Sequence, residues 1–179
     1  MKLITKPFIF MRHGETELNR NQLIGGRTDV PLTATGQQQA RRASAILAHE
    51  KWSCLAVSPL LRARQTAALS VPDTPQHIVS DLRERDWGDL ELRPLSEQPP
   101  YEDTPPHGET WADFCIRVTQ ALNELLSQYE RPLIIAHSGI FRVIRQQATG
   151  TPYGPRIGNA SPMLIIPNGS NWNMLPMES

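Results

Sequence analysis

The chain has few cysteines, almost no lysine, no long hydrophobic run and no excess of either charge. Its two cysteines, Cys54 and Cys115, lie far apart among 179 residues. They form neither a CxxC motif nor a disulfide framework, which points to a reducing compartment. The one apolar run near the N-terminus is Phe8 to Met11, ended by Arg12. That is too short for a signal peptide or a membrane helix, so a cytoplasmic protein is expected. Net charge is zero, which gives no electrostatic reason to expect a nucleic-acid or membrane partner. None of the five histidines sits in an HExxH or similar ligand spacing, so neither a metal nor another cofactor is expected. Lysine occurs only at Lys2, Lys6 and Lys51, and the rest of the 18 basic residues are arginine. Arginine carries a rigid fork of donors suited to phosphate or carboxylate.

What is present is an ordinary globular composition, with 39% hydrophobic and 20% charged residues. The length suits one domain over residues 1–179. Phe8-Ile9-Phe10-Met11, Leu55-Ala56-Val57 and Leu133-Ile134-Ile135-Ala136 are apolar without alternation and predict strands buried on both faces. His77 to Val79 is a weaker strand. Helical spacing places Ala40, Ala43, Ile46 and Leu47 on one face of a helix over Thr35–Glu50, capped by Thr33 or Thr35. Ser58-Pro59 predicts a cap and first helical residue, with a helix running to about Leu69. Trp111, Phe114, Val118, Ala121, Leu122 and Leu125 mark another amphipathic helix, and a further one is expected over about Ile140–Gln147. Met163–Ile166 and Trp172–Leu175 read as two last strands, a hairpin around Asn168-Gly169. Between Glu91 and His107, five prolines forbid a long regular element. This stretch is expected to be a loop, a short lid lying over the site. Alternating strands and helices predict a three-layer α/β/α sandwich with a mainly parallel central sheet.

Ligands in such sheets bind beyond the carboxyl ends of the strands. The residues there are Arg12-His13, Ser58 with Arg62 one turn on, and His137-Ser138-Gly139. Phosphoryl transfer needs such a set: guanidinium forks for the phosphoryl oxygens, a neutral imidazole to attack phosphorus, and a second histidine to donate. The backbone amides of Ser138 and Gly139, at a helix start, are expected to face the anion.

Arg12-His13-Gly14-Glu15-Thr16 resembles the RHG signature of the histidine phosphatase superfamily, the small phosphatases and phosphoglycerate mutases. Asn19 follows at the family's usual offset. Asp29–Gly36 resembles its "D.PLT..G" segment and Ser58–Thr66 its "S.L.RA.QT" segment. Leu82–Gly88 is similar to its "L.E..FG" segment, His107–Thr110 to its "GES" segment, and Ala136–Gly139 to its second-histidine segment. All six occur in family order between Phe8 and Gln147. The resemblance implies that His13 carries the phosphoryl group and that Arg12, Arg62 and His137 surround it, with Asn19 adding a polar contact. It also implies that Glu84 is the general acid to the leaving oxygen and then the base for water, and that no metal takes part. Trp87 departs from the family's Phe or Tyr and is expected to narrow the pocket.

Other readings stay open for single residues. Glu84 lies in the charged run Arg83–Asp86, which would also suit a solvated face. The second HGET, at His107, follows Pro105-Pro106 and is read as a helix start with Glu109 near its positive end. Catalysis by His107 is not expected, although Glu109 is within possible reach of the pocket rim. His49 and His77 read as surface residues. The short segment 91–107, with Arg93 as its one basic residue, favours hydrolysis of a small phosphorylated metabolite over mutase chemistry. Phosphoglycerate mutase-type transfer and a non-catalytic phospho-ligand binder are the alternatives.

Overall fold

The structure, a computed structural model, describes residues 1–178. Six strands form one sheet: β1 (Phe8–Arg12), β2 (Leu55–Val57), β3 (His77–Ile78), β4 (Leu133–Ala136), β5 (Met163–Asn168) and β6 (Asn171–Pro176). Their order is β3-β2-β4-β1-β5-β6. The first four are parallel neighbours, and β5 joins β1 antiparallel. The fold class is the expected α/β sandwich with a mostly parallel sheet.

The apolar runs explain why the sheet is buried on both sides. Successive side chains of a strand point to opposite faces. Phe8, Phe10, Ile134 and Ala136 pack on one face with Phe114, Leu122 and Ile144. These come from helices α4 (Trp111–Gln128) and α5 (Ser138–Thr149). Ile9, Met11, Leu133 and Ile135 pack on the other with Ala43, Leu47 and Ala67. Those come from α2 (Ala34–Leu47) and α3 (Leu61–Ser70). The remaining helix, α1 (Glu17–Arg20), is a single turn.

Boundaries differ from the sequence reading where a polar side chain has another partner. Thr33 caps α2, accepting from the Gly36 amide, so the helix starts earlier than Thr35. Helix α3 begins at Leu61, and Leu60 stands at its cap with no side-chain hydrogen bond. Ser58 lies two residues before that cap, where its hydroxyl accepts from the Leu60 amide and also bonds to His137. Helix α5 starts at Ser138, two residues before the expected Ile140. Strands β5 and β6 form the expected hairpin around a Gly169-Ser170 turn, with Gly169 at φ 62°. Within 91–107 the one helical piece is a 3-10 turn at Leu95–Glu97.

Candidate active site

Register brings the chemistry together. Arg12 pairs with Ala136, and Val57 with Ile135. The ladder continues one residue further through His13 N–H to Ala136 O and Ser58 N–H to Ile135 O. His13, Ser58 and His137 therefore leave adjacent strands at the same level. A cleft opens there, lined among others by Arg12, His13, Asn19, Arg62, Glu84 and Ser138. His137 is fully buried behind it, its ring 5.3 Å from that of His13.

Gly14 lets the nucleophile candidate sit this deep. A Cβ on Gly14 would lie 2.5 Å from the Gly36 carbonyl oxygen, so the turn after β1 packs backbone to backbone on α2. The glycines of the first two family segments thus face each other. His13 Nδ1 bonds to Gly14 O at 2.7 Å, which fixes a proton on Nδ1 and leaves a lone pair on Nε2. Arg62 donates from Nε to that Nε2 at 3.3 Å. The rest of the Arg62 fork donates to the carbonyls of Thr28 and Gly26. Burial, then the charges of Arg62 and Arg12, push His13 well below the usual histidine range. His137 is pushed the same way by burial, Arg62, His13 and Arg12. Both imidazoles are neutral at neutral pH. His137 Nε2 meets Ser58 Oγ at 2.7 Å, while its buried Nδ1 has no partner among the described residues.

Arg12 donates to Ile157 O, and its buried Nε is left without a partner among the described residues. Burial and Arg156 together bring it down to about 10, so it stays cationic. Glu84 is 8% exposed, which removes the solvated-face reading. Its two oxygens accept from the amides of Arg85 and Gly139, both at 2.9 Å. That corrects one expectation: the Gly139 amide holds Glu84 rather than facing the anion. Ser138, the first residue of α5, does line the cleft. Asn19 also lines it, but its Oδ1 is spent on the Thr16 amide in a capping box for α1. Only its amide Nδ2 is left for a ligand.

Glu109 is not among the cleft's lining residues. It accepts two bonds from Arg117 and one from the Asp86 amide. Arg117 in turn holds the carbonyls of Asp81 and Arg83, so the pair braces the segment that carries Glu84. Thr110, not Glu109, caps α4. His107 is exposed and pairs with Asp89 at 2.9 Å; His49 and His77 are exposed too. Trp87 lines the cleft and is 6% exposed.

Several site residues were not read from the sequence. Thr66 accepts from the Gly14 amide and donates to Arg62 O; it ends the "S.L.RA.QT" segment, so the signal was present. Asn159 donates to His13 O and Arg156 lines the cleft. Both lie in the loop before β5, where no pattern marks them. Among the described residues no three histidine, cysteine or acidic side chains gather as a metal site. Among those residues no helix is long and apolar enough to cross a membrane.

Two histidines, two buried arginines and a buried carboxylate gather on one rim of a mostly parallel sheet, a set of groups that phosphoryl transfer can use. Residues 8–177 match the histidine phosphatase superfamily (branch 1), and the chain belongs to that family. It is 34% identical over 146 residues to the uncharacterized phosphatase PhoE of Bacillus subtilis, covering 78% of this chain and 76% of that one. It is 33% identical over 152 residues to the adenosylcobalamin/alpha-ribazole phosphatase of Salmonella typhimurium, covering 75% of each. The crystal structure of the alpha-ribazole phosphatase from Shigella flexneri superposes with a TM-score of 0.82 at 26% identity. That match covers 97% of this chain and 96% of the other. The chain is an enzyme of the phosphomonoester-hydrolysing kind.

Proposed function

We propose that His13 carries the phosphoryl group during phosphomonoester hydrolysis, through Nε2. The observation behind this is the Gly14 carbonyl on Nδ1, which keeps the proton there and leaves the lone pair on Nε2 as the one that can attack. Arg12 and Arg62 receive the phosphoryl oxygens, Arg62 exchanging its bond to Nε2 for one to phosphate. Asn19 adds its amide Nδ2, Ser138 its helix-start amide, and His137 backs the phosphorylated ring. In the first step Nε2 attacks phosphorus, the ester P–O bond breaks, and Glu84 in its acid form protonates the leaving oxygen. In the second, water attacks the phosphohistidine while Glu84 takes a proton from it. Inorganic phosphate leaves, His13 returns neutral, and protons and charge balance. The positioned charge supplies most of the barrier reduction.

We read the substrate as a small phosphorylated metabolite, with segment 91–107 as a lid. Leu95 and Gln98 of that segment line the cleft, which supports the reading. The setting is read as cytoplasmic, in keeping with two free thiols. The reaction is read as metal-independent.

The test is hydrolysis of p-nitrophenyl phosphate with and without chelator, in wild type and His13→Ala. A rapid quench under alkaline conditions should find one phosphate on the peptide containing His13. Chelator-sensitive activity, or turnover retained in His13→Ala, would refute the assignment. Efficient phosphoglycerate interconversion with little hydrolysis would select the mutase alternative.

A further inference from the structure

Past Glu84 the cleft continues into a second, solvent-open lobe. Glu84, Trp87, Gln98, Ser138 and Arg156 line both lobes. Since Glu84 is assigned to the leaving oxygen, the second lobe is where the leaving group lies; the inference rests on that reading. Trp87, Tyr101 and Trp111 give this lobe aromatic walls, suited to a flat or apolar body.

The charge in this lobe is unbalanced. Glu84 is the one carboxylate on its wall, against Arg85, Arg142 and Arg156. None of the three arginines is in an ion pair among the described residues. Two of them have structural duties. Arg85 is 1% exposed, lies 4.6 Å from the Trp87 ring and donates to Glu109 O and Asp103 O. Arg142 stands over the Tyr101 ring and donates to Pro152 O and Gly154 O.

Arg156 is different. The loop that carries it is tied on both sides. Arg142 holds the carbonyls of Pro152 and Gly154, Arg145 that of Pro155, and Arg12 that of Ile157. The Ala160 amide bonds back to Arg12 O. Yet the Arg156 side chain makes no hydrogen bond among the described residues, and it is exposed. A guanidinium held over both lobes by a pinned loop, and itself unengaged, is a donor fork awaiting an anion.

We propose that the natural substrate is a phosphomonoester whose leaving group has a flat or apolar body and a second anionic group. Arg156 receives that anion, supported by the field of Arg142. The second anion is a carboxylate or a second phosphate. The first lobe takes the phosphoryl group to be transferred, and the aromatic walls take the body between the two charges.

Three non-hydrolysable phosphonates test this by titration calorimetry: 4-(phosphonomethyl)benzoate, 4-(phosphonomethyl)benzamide and p-xylylenediphosphonate. The first two are nearly isosteric and differ in one charge; the third replaces the carboxylate by phosphonate. Wild type should bind at least one of the two doubly anionic probes about tenfold more tightly than the benzamide. The larger gain names the anion. Arg156→Gln should bring that ratio close to one. Equal affinity for all three in wild type, or a preference unchanged in Arg156→Gln, overturns the proposal. Because the probes are not turned over, the result is independent of catalysis. A failure of p-nitrophenyl phosphate hydrolysis would count against the phosphohistidine reading alone.

Discussion

Arg62 donates its Nε–H to Nε2 of His13 at 3.3 Å, so the cation proposed to bind phosphate and the lone pair proposed to attack it are paired before substrate arrives. The same fork is fixed by the Gly26 and Thr28 carbonyls. A lysine supplies the charge without the fork. Arg62→Lys should therefore lower kcat/KM for p-nitrophenyl phosphate about 10²–10³-fold. A loss below about fivefold would show that charge alone suffices at this position.

A Cβ at Gly139 would collide with Oε1 of Glu84. Gly139→Ala must displace the carboxylate from the cleft wall and should imitate Glu84→Gln. Alkyl phosphates, whose leaving oxygen needs a proton, should slow about 10²-fold or more. p-Nitrophenyl phosphate, whose leaving group departs as an anion, should slow only about a few-fold. Equal losses on both ester classes would argue against Glu84 as the acid.

The depressed basicity of His13 and His137 sets a direction for stability against pH. Below pH ~6.5 the unfolded chain protonates both residues while the folded chain does not. Unfolding thus takes up protons, and stability is lost as pH falls from about 6.5 toward the folded values. Urea titrations should show a slope of up to about 1.4 kcal/mol per pH unit for each histidine. His137→Gln should remove one share. A variant slope equal to wild type would mean that His137 is already accessible to protons.

Glu109 and Arg117 brace the Glu84 segment from behind, with their side chains 14% and 13% exposed. Glu109→Gln leaves Arg117 without its carboxylate and should cost roughly 1–3 kcal/mol in a urea unfolding titration. It should also lower kcat on alkyl phosphates, because Glu84 loses its fixed backbone. Unchanged kcat with reduced stability would confine Glu109 to folding.

The central strands were legible because residues buried on both faces must be uniformly apolar, and Phe8–Met11 and Leu133–Ala136 are. The sheet's carboxyl edge followed, and with it the places to look for His13, Arg62 and His137. Glu84 came from the resemblance alone. Its burial depends on Gly139 and Arg117, which lie 55 and 33 residues away, and no local pattern carries that. Ser58 was misread in part: Ser-Pro is a good helix start, but the helix is capped two residues later at Leu60, and the Ser58 hydroxyl also meets a histidine 79 residues on, which no local pattern shows. Arg156 was invisible because its meaning lies in the carbonyls that hold its loop.

Those carbonyls have a wider consequence. His13 leans on the main chain of Gly14, and Arg62 on that of Gly26 and Thr28. Arg12 leans on Ile157, and Glu84 on the amides of Arg85 and Gly139. Each anchor is a peptide group. At Gly14, Gly26 and Gly139 an added Cβ would strike a neighbour, so those positions are held to glycine, whereas Thr28, Arg85 and Ile157 offer their main chain whatever side chain they carry. The aromatic and arginine walls beyond Glu84 can change their chemistry while the other half of the cleft stays as it is. One scaffold can thus pass from one phosphate ester to another through replacements in its outer wall.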